Sequence, residues 1–198
     1  MGLFDFFKRK NEKDNKESKN DKKDDELPEL GKDIETQKIG FLELSEICLS
    51  ESNKATFSEF VGTLKDYTDD EEYMTTLNYV IDCLYQKGNY FIICLDWKQE
   101  ITSLTHGVNH TLTQNFNQQI ELPKQEDYGP MASVSYDNVF KDFDKAINIK
   151  GYQLSFIDTN SDQYVIIVHK IEDLQKAKSA IRKIGYDCLN SNSRKISG

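Results

Sequence analysis

The chain has 198 residues, of which 37% are hydrophobic and 30% charged, and its formal net charge is −9 at pH 7. This length allows one domain, or one domain with a tail, and the acidic balance weighs against nucleic acid as a partner because phosphate-binding faces carry a basic surplus. No apolar run approaches the roughly 18–20 residues that a membrane-spanning helix needs, so we expect a soluble cytoplasmic protein.

Residues 1–7, MGLFDFF, form a short amphipathic segment that precedes the basic residues 8–10. The segment is too short for a signal peptide, and its apolar part comes before the basic part instead of after it. Phe6 stands where a myristoylation signal requires Ser or Thr. Weak contact of residues 1–10 with an anionic membrane surface is one interpretation, and docking on protein is the other, which we prefer.

Residues 8–26 carry eight basic and seven acidic side chains and no apolar one. Such a stretch buries too little surface to offset an ordering entropy of roughly 1–2 kcal/mol per residue. We therefore predict a charged disordered linker over 8–30, a single folded domain over 31–190 and a polar tail over 191–198. The part of the chain after the linker remains acidic, which favours solubility and steering toward basic partners.

The first part of the domain predicts three helices. Apolar residues recur at helical spacing over 33–50, and a shorter helix fits 56–67. A third helix is expected to begin at Thr68, which has Glu71 three residues later as in a capping box, and to end at Gly88. Its inward-facing stripe comprises Tyr73, Leu77, Val80, Ile81, Leu84 and Tyr85.

Residues 90–95, YFIICL, are too few for a buried helix and are apolar on both faces, so we predict a central strand there. A helical stripe follows over 99–116. Residues 117–133 contain two of the three prolines and indicate a loop. Another helix is predicted over 136–151 and ends at a glycine.

The last part of the domain predicts a hairpin over 152–170, with its turn at 159–161. A final helix over 172–185 is acidic in its first turn and basic in its last, as the helix dipole favours, and a short strand follows at 186–189. This order predicts an α+β fold: a small mixed or antiparallel sheet of about four strands with helices packed on it.

The four cysteines, Cys48, Cys83, Cys94 and Cys188, show no C-x-x-C spacing and lie among apolar neighbours. We interpret them as small buried hydrophobic residues of a protein in a reducing compartment.

The clearest candidate site is Asp96-Trp97-Lys98, where the predicted strand leaves the core. There Trp97 could stack on a ligand and Lys98 could hold an anion. The alternative is structural: Asp96 would cap the next helix, Trp97 would cover the sheet edge and Lys98 would be solvated. Because no base or nucleophile stands nearby in the sequence, we prefer the structural interpretation.

Two other stretches resemble metal sites only in part. Asp158, Asn160 and Asp162 match the first ligand positions of an EF-hand loop, but the required glycine and the final glutamate are missing. His106 and His110 share one helix face, but the glutamate of a zinc protease motif is replaced by glycine. We predict no metal, no cofactor and no catalytic residue.

Three motifs together resemble a bacterial family defined by a domain of unknown function: a hydrophobic strand ending in Asp-Trp-Lys, a helix ending in Gly-Tyr, and a hairpin of the form Ile-Asp-Thr-x-Ser-Asp-x-Tyr. The resemblance covers roughly residues 35–190. It implies a bacterial cytosolic protein and supplies no activity. If the recurrent positions of this family bind something, the residues concerned are Asp96, Trp97, Lys98, Asp158, Ser161, Asp162 and Tyr164.

The sequence favours a non-enzymatic protein-binding module, such as an immunity or adaptor protein that recognises a basic partner. Small size, acidity and many aromatic residues (10 Tyr, 11 Phe and 1 Trp) support this hypothesis. The alternative is a metal-dependent hydrolase built on Asp96, Asp158 and Asp162. That activity would require the three carboxylates to converge in one pocket.

Overall fold

The computed structural model describes residues 30–31 and 33–191. The predicted segment over 1–7 with its membrane contact, nearly all of the linker over 8–30 and nearly all of the tail over 191–198 lie outside the described residues. The helices of the described part are α1 (Ile34–Cys48), α2 (Glu51–Gly62), α3 (Thr76–Gln86), α4 (Ile101–Phe116), α5 (Val139–Asn148) and α6 (Leu174–Ile184). The strands are β1 (Ile92–Asp96), β2 (Tyr152–Asp158), β3 (Gln163–Lys170) and β4 (Asp187–Asn190), and two short 3-10 helices span Gln125–Asp127 and Ile171–Asp173.

The four strands form one sheet in the order β1-β3-β2-β4, and every neighbouring pair is antiparallel. The predicted α+β class is therefore confirmed, with an antiparallel rather than a mixed sheet. The hairpin over 152–170 is also as predicted. Its second strand, β3, lies in the interior of the sheet and is buried over six consecutive residues.

Helices cover both faces of this sheet. One face packs against α1, α2, α3 and α6, and residues such as Ile92, Val165 and Ile167 point toward them. The other face packs against α4 and α5 and presents Ile93, Leu95 and Ile166. Successive side chains of a strand point to opposite faces, so the continuous apolar runs of β1 and β3 supply both cores at once.

Helices α1 and α6 approach each other closely because α1 carries a glycine at their contact. A methyl group on Gly40 would lie 2.7 Å from the Ala180 carbonyl oxygen and 2.8 Å from the Ile184 side chain. Helix α6 then ends at Gly185, whose φ of 111° is readily adopted only by glycine.

Helix α3 begins at Thr76 and not near Thr68, so its predicted start is wrong. Thr75 is the N-cap, and its hydroxyl accepts a hydrogen bond from the Asn78 amide at 3.1 Å. The residues between 68 and 75 form turns. Tyr73 consequently lies outside the helix and does not belong to its inward stripe.

Strand β1 is an edge strand and not a central one, which corrects the prediction from its apolar run. Its two faces are apolar because α3 and α4 cover them. On the free edge, the Tyr85 hydroxyl accepts a hydrogen bond from the Cys94 amide and donates one to the Cys94 carbonyl, both at 3.0 Å. Tyr85 is therefore at the surface, where the sequence predicted an inward residue.

Other boundaries differ less. Helix α2 begins and ends about five residues before the predicted 56–67. The predicted helix over 172–185 starts with a 3-10 turn, and Leu122 and Ala132 of the predicted loop over 117–133 join the core, as does Val134 just after it. All four cysteines are free thiols, but Cys48 alone among them is fully buried, and Cys83, Cys94 and Cys188 are half-buried.

Candidate functional site

The predicted site residues lie at one end of the sheet. Asp96 ends β1 and pairs with Gln163, the first residue of β3. The hairpin turn that contains Ser161 and Asp162 is therefore beside the Asp-Trp-Lys triplet. The antiparallel pairing of β1 with β3 brings the two motifs together although more than sixty residues separate them.

The polar groups of Asp96 are used within its own turn. Its carboxylate accepts a hydrogen bond from the Lys98 amide at 2.8 Å, and its amide donates to the Gln99 side chain at 2.9 Å. The N-cap position of α4 is Glu100, so Asp96 closes the turn before the helix and does not cap it. Trp97 is 43% exposed, and the Lys98 ammonium lies 4.7 Å from the centre of its ring.

The hairpin turn is likewise held by its own side chains. The Asp158 carboxylate accepts a hydrogen bond from the Asn160 amide at 3.2 Å, and Asn160 adopts a left-handed conformation. The Ser161 hydroxyl accepts from the Gln163 amide at 3.3 Å. This is the Asx-turn chemistry that the sequence offered as the alternative to a calcium loop, while Asp162 stays exposed.

Tyr164 differs from the other predicted site residues because it is only 6% exposed. Its ring packs edge-on against Phe140 at a centroid distance of 4.8 Å. It points to the face of the sheet covered by α4 and α5, which makes it a core residue in this structure.

Within residues 30–31 and 33–191, no three His, Cys, Asp or Glu side chains are close enough to hold a metal ion together. The hydrolase hypothesis built on Asp96, Asp158 and Asp162 therefore has no metal cluster among the described residues. His106 and His110 lie side by side on α4, with ring centres 6.2 Å apart and ring planes tilted by 36°.

A buried Ser–His pair was not predicted from the sequence. The His169 Nε2 atom lies 2.8 Å from the Ser155 hydroxyl, and its Nδ1 atom lies 2.7 Å from the Lys170 carbonyl oxygen. The carbonyl can only accept, so Nδ1 carries the proton and Nε2 accepts from the serine. This pairing is typical of nucleophilic catalysis, but Ser155 and His169 are both 0% exposed, and no described cavity reaches them.

The most distinctive surface of the described chain is formed by the loop between α2 and α3 together with Tyr79. We call it the acidic tyrosine surface. It comprises Asp66, Tyr67, Asp69, Asp70, Glu71, Glu72, Tyr73 and Tyr79.

Three of its rings pack together at the surface. Tyr67 stacks on Tyr79 with ring centres 4.0 Å apart and an interplanar angle of 16°, and Tyr73 meets both rings edge-on. Hydrogen bonding with Tyr67 is the largest cause of the raised pKa of Tyr79, followed by hydrogen bonding with Cys83. The rings are half-buried, so each leaves part of its face or edge for a partner.

The loop that carries these rings is ordered by its own hydrogen bonds. The Asp70 carboxylate accepts from the Glu72 and Tyr73 amides at 2.9 and 3.0 Å, and the Asp66 carboxylate accepts from the Thr68 amide at 2.9 Å. Asp70 thereby holds the backbone that orients the Tyr73 ring.

Comparison with known families decides what this chain is related to. The profile of a family described as a domain of unknown function (DUF6630) matches residues 25–191, which include all the described residues. The chain belongs to this family. Neither the curated proteins nor the solved structures contain a significant match to it.

None of the helices described in this DUF6630 domain is long and apolar enough to cross a membrane. The predicted recognition of a family without an assigned function is confirmed, and the matched range is close to the predicted 35–190.

Sequence reasoning missed the acidic tyrosine surface of this DUF6630 domain. The signal was present in the stretch DYTDDEEY, residues 66–73, in which five acidic residues lie between and beside two tyrosines. The spacing of Thr68 and Glu71 within it predicts a capping box and the start of a helix instead. An acidic run immediately beside aromatic residues, with no apolar stripe of its own, is better interpreted as a surface loop.

Proposed function

We propose that this domain is a non-enzymatic protein-binding module that docks a basic partner protein on its acidic tyrosine surface, as an immunity or adaptor protein does. The observation that carries the proposal is the stacked pair Tyr67 and Tyr79, with Tyr73 against both, next to five carboxylates.

The aromatic part of the surface supports a protein partner. Binding energy in protein interfaces concentrates in a few residues, among which Tyr is enriched. Tyr67, Tyr73 and Tyr79 hold one another in place, so little side-chain entropy remains to be lost on binding. A rigid tyrosine cluster is therefore a favourable anchor.

The charge around the anchor supports a basic partner. Residues 63–75 contain five acidic side chains and one lysine, Lys65. Asp66, Asp69, Glu71 and Glu72 are exposed, so their field reaches solvent and can accelerate encounter with a positively charged surface. The net charge of −9 for the whole chain acts in the same direction.

The end of the sheet carries the site residues that the family resemblance implies, and it is a second contact region in this proposal. The exposed residues there are Asp96, Trp97, Lys98, Ser161 and Asp162, and Asp158 is half-buried. Trp97 supplies the kind of large exposed ring that interfaces use. Tyr164 is buried, so it would not touch the partner and would contribute only by packing in the core below this end of the sheet.

The experiment compares baits in a pull-down from native host extract at low and high salt. The surface variants are Tyr73→Ala and the pair Asp69→Asn with Glu71→Gln, whose side chains make no described hydrogen bond or ion pair. The matched controls are Tyr136→Ala, which removes an exposed tyrosine elsewhere, and the pair Glu121→Gln with Glu126→Gln, which removes the same charge elsewhere.

We expect a protein of basic isoelectric point to be captured by the wild type and both controls. Capture should weaken with salt because screening reduces the attraction between the two surfaces. Both surface variants should lose it. A partner retained equally by Tyr73→Ala and by the Asp69/Glu71 pair would contradict the proposed surface, and an acidic or salt-insensitive partner would contradict the proposed chemistry.

A further inference from the structure

A cavity of about 230 Å³ lies where α2, the end of α3 and α4 meet. It is separate from the end of the sheet that holds the predicted site residues. Its volume is below the roughly 300–1,000 Å³ of sites for drug-sized ligands, so an occupant would be small. The lining residues are Asn53, Thr56, Phe57, Phe60, Cys83, Leu84, Lys87, Gly88, Asn89, His110 and Gln114.

The charge of the cavity is opposite to that of the chain. None of the described residues that line it is Asp or Glu, although the chain as a whole has 34 acidic residues against 25 basic ones. Lys87 supplies a positive charge, and no carboxylate of the described residues lies within 4.0 Å of its ammonium. The amides of Asn53, Asn89 and Gln114 add hydrogen-bonding groups at the cavity.

The apolar wall of the cavity is aromatic. The rings of Phe57 and Phe60 lie 5.9 Å apart, and Phe57 is held edge-on by the buried Phe91 at 5.1 Å. The Lys87 ammonium already lies over the Phe60 ring, 5.0 Å from its centre. A ligand cation would therefore meet an aromatic face that Lys87 already occupies, and it would be repelled by the Lys87 charge. An anion would be attracted by that charge.

His110 adds an imidazole to the same wall. Burial, and then the neighbouring His106, lower the pKa of His110, while a hydrogen bond to the Gly88 backbone raises it. At pH 7 the ring is therefore neutral, and the nitrogen that is not used by Gly88 is an acceptor. Lys87 thus supplies the positive charge of the site. The protonation of His110 should respond to a nearby anion, so its resonances can be used to detect binding.

We infer that this cavity binds a small organic carboxylate with a flat apolar body. The carboxylate lies near Lys87 and the amides, and the apolar body lies against Phe57 and Phe60. The cavity shares no lining residue with the proposed partner surface, but the two adjoin, because Phe60 of the cavity stacks on Tyr79 of that surface with ring centres 6.1 Å apart.

The test titrates the full chain with benzoate and, separately, with the neutral benzamide, and follows the imidazole resonances of His110 by NMR. We expect saturable shifts with benzoate in the millimolar range and a rise in the pKa of His110 when the carboxylate is bound. Lys87→Gln should weaken benzoate binding by about two- to fivefold, as expected for an exposed charge pair, and leave benzamide unchanged. The control Lys150→Gln, an exposed lysine that is not part of the cavity, should change neither.

Two outcomes would overturn the inference. Shifts that do not saturate with benzoate would show that the cavity holds no such ligand. Equal binding of benzoate and benzamide, or equal loss in Lys87→Gln and Lys150→Gln, would show that the site does not select an anion. A failure of either kind leaves the pull-down prediction for Tyr73 unaffected, since the two surfaces are tested with different variants.

Discussion

The Tyr85 hydroxyl stands beside Cys94 where a fifth strand would otherwise lie. It accepts from the Cys94 amide and donates to the Cys94 carbonyl, both at 3.0 Å. One side-chain hydroxyl therefore satisfies the two outward backbone groups at the middle of edge strand β1. Exposed edge groups invite pairing with other chains, so this contact protects the sheet.

Tyr85→Phe should expose that edge. We expect a loss of about 1 kcal/mol in the free energy of unfolding, because both Cys94 backbone groups then depend on water, together with self-association at high protein concentration. Denaturant unfolding and light scattering after size-exclusion chromatography measure the two effects. Tyr136→Phe removes the hydroxyl of another exposed tyrosine and should do neither. A monomeric Tyr85→Phe of wild-type stability would refute the protective role.

Stability should fall on mild acidification because of His169. Burial lowers the pKa of this histidine in the folded protein, while the unfolded chain titrates near its ordinary value of about 6.5. Below that pH the unfolded chain binds more protons at this histidine. The contribution of His169 to the free energy of unfolding is therefore constant above about pH 6.5 and decreases as pH falls from there until the folded pKa is reached.

Unfolding by urea between pH 7.5 and about 5.5 measures this slope, which can reach about 1.4 kcal/mol per pH unit for one proton. His169→Gln should flatten most of it. His110→Gln should remove a smaller part, because His110 is only half-buried. An unchanged slope in His169→Gln would assign the pH dependence to other groups.

Gly40 and Gly62 should respond oppositely to substitution by alanine. Alanine favours a helix over glycine by up to about 1 kcal/mol, and nothing lies within 4 Å of a methyl group at Gly62, so Gly62→Ala should stabilise slightly. At Gly40 the methyl group would meet the Ala180 carbonyl oxygen at 2.7 Å. Overpacking of this kind costs about 1–3 kcal/mol, so Gly40→Ala should be net destabilising. Thermal unfolding of both variants checks this, and similar stability changes would mean that α1 and α6 can separate easily.

Asp70 should control the order of the acidic tyrosine surface. Asp70→Ala removes the hydrogen bonds to the Glu72 and Tyr73 amides, each worth about 1 kcal/mol, and should increase proteolytic cleavage within residues 63–75 under native conditions. Glu71→Ala removes the same charge from an exposed side chain for which no bond is described. If both variants are cleaved at the wild-type rate, the loop is held by its aromatic contacts alone.

The sequence predicted the fold class because long-range geometry was not needed for it. The hairpin over 152–170 and the helices depend on local periodicity. The hairpin and six helices are present in the described residues, although α3 starts later than predicted and its buried stripe lacks Tyr73 and Tyr85. The edge position of β1 could not be predicted in this way. An apolar run indicates that both faces of a strand are covered, and α3 and α4 cover β1, but the run carries no signal for how many strands lie beside it.

The candidate sites were less predictable than the fold. The capping-box spacing of Thr68 and Glu71 was equally compatible with a turn, and the Asp70 hydrogen bonds decide for the turn. The cavity brings together Phe60 of α2, Lys87 just after α3 and His110 of α4, which no spacing along the chain could reveal. The pairing of Asp96 with Gln163 places the two predicted motifs side by side. The sequence predicted each motif separately but not that their strands pair.

The strand order has a consequence for how the chain folds. Strands β2, β3 and β4 with helix α6 follow one another within residues 152–190, so their contacts close only short loops and can form early. Strand β1 joins β3 across a much longer stretch of chain, and its closure costs more entropy. We expect the C-terminal strands to form first and β1, with Tyr85 alongside, to dock on them late. Until β1 docks, the side of β3 that it will cover is an open strand edge. That edge is then the part of the sheet most exposed to pairing with other chains.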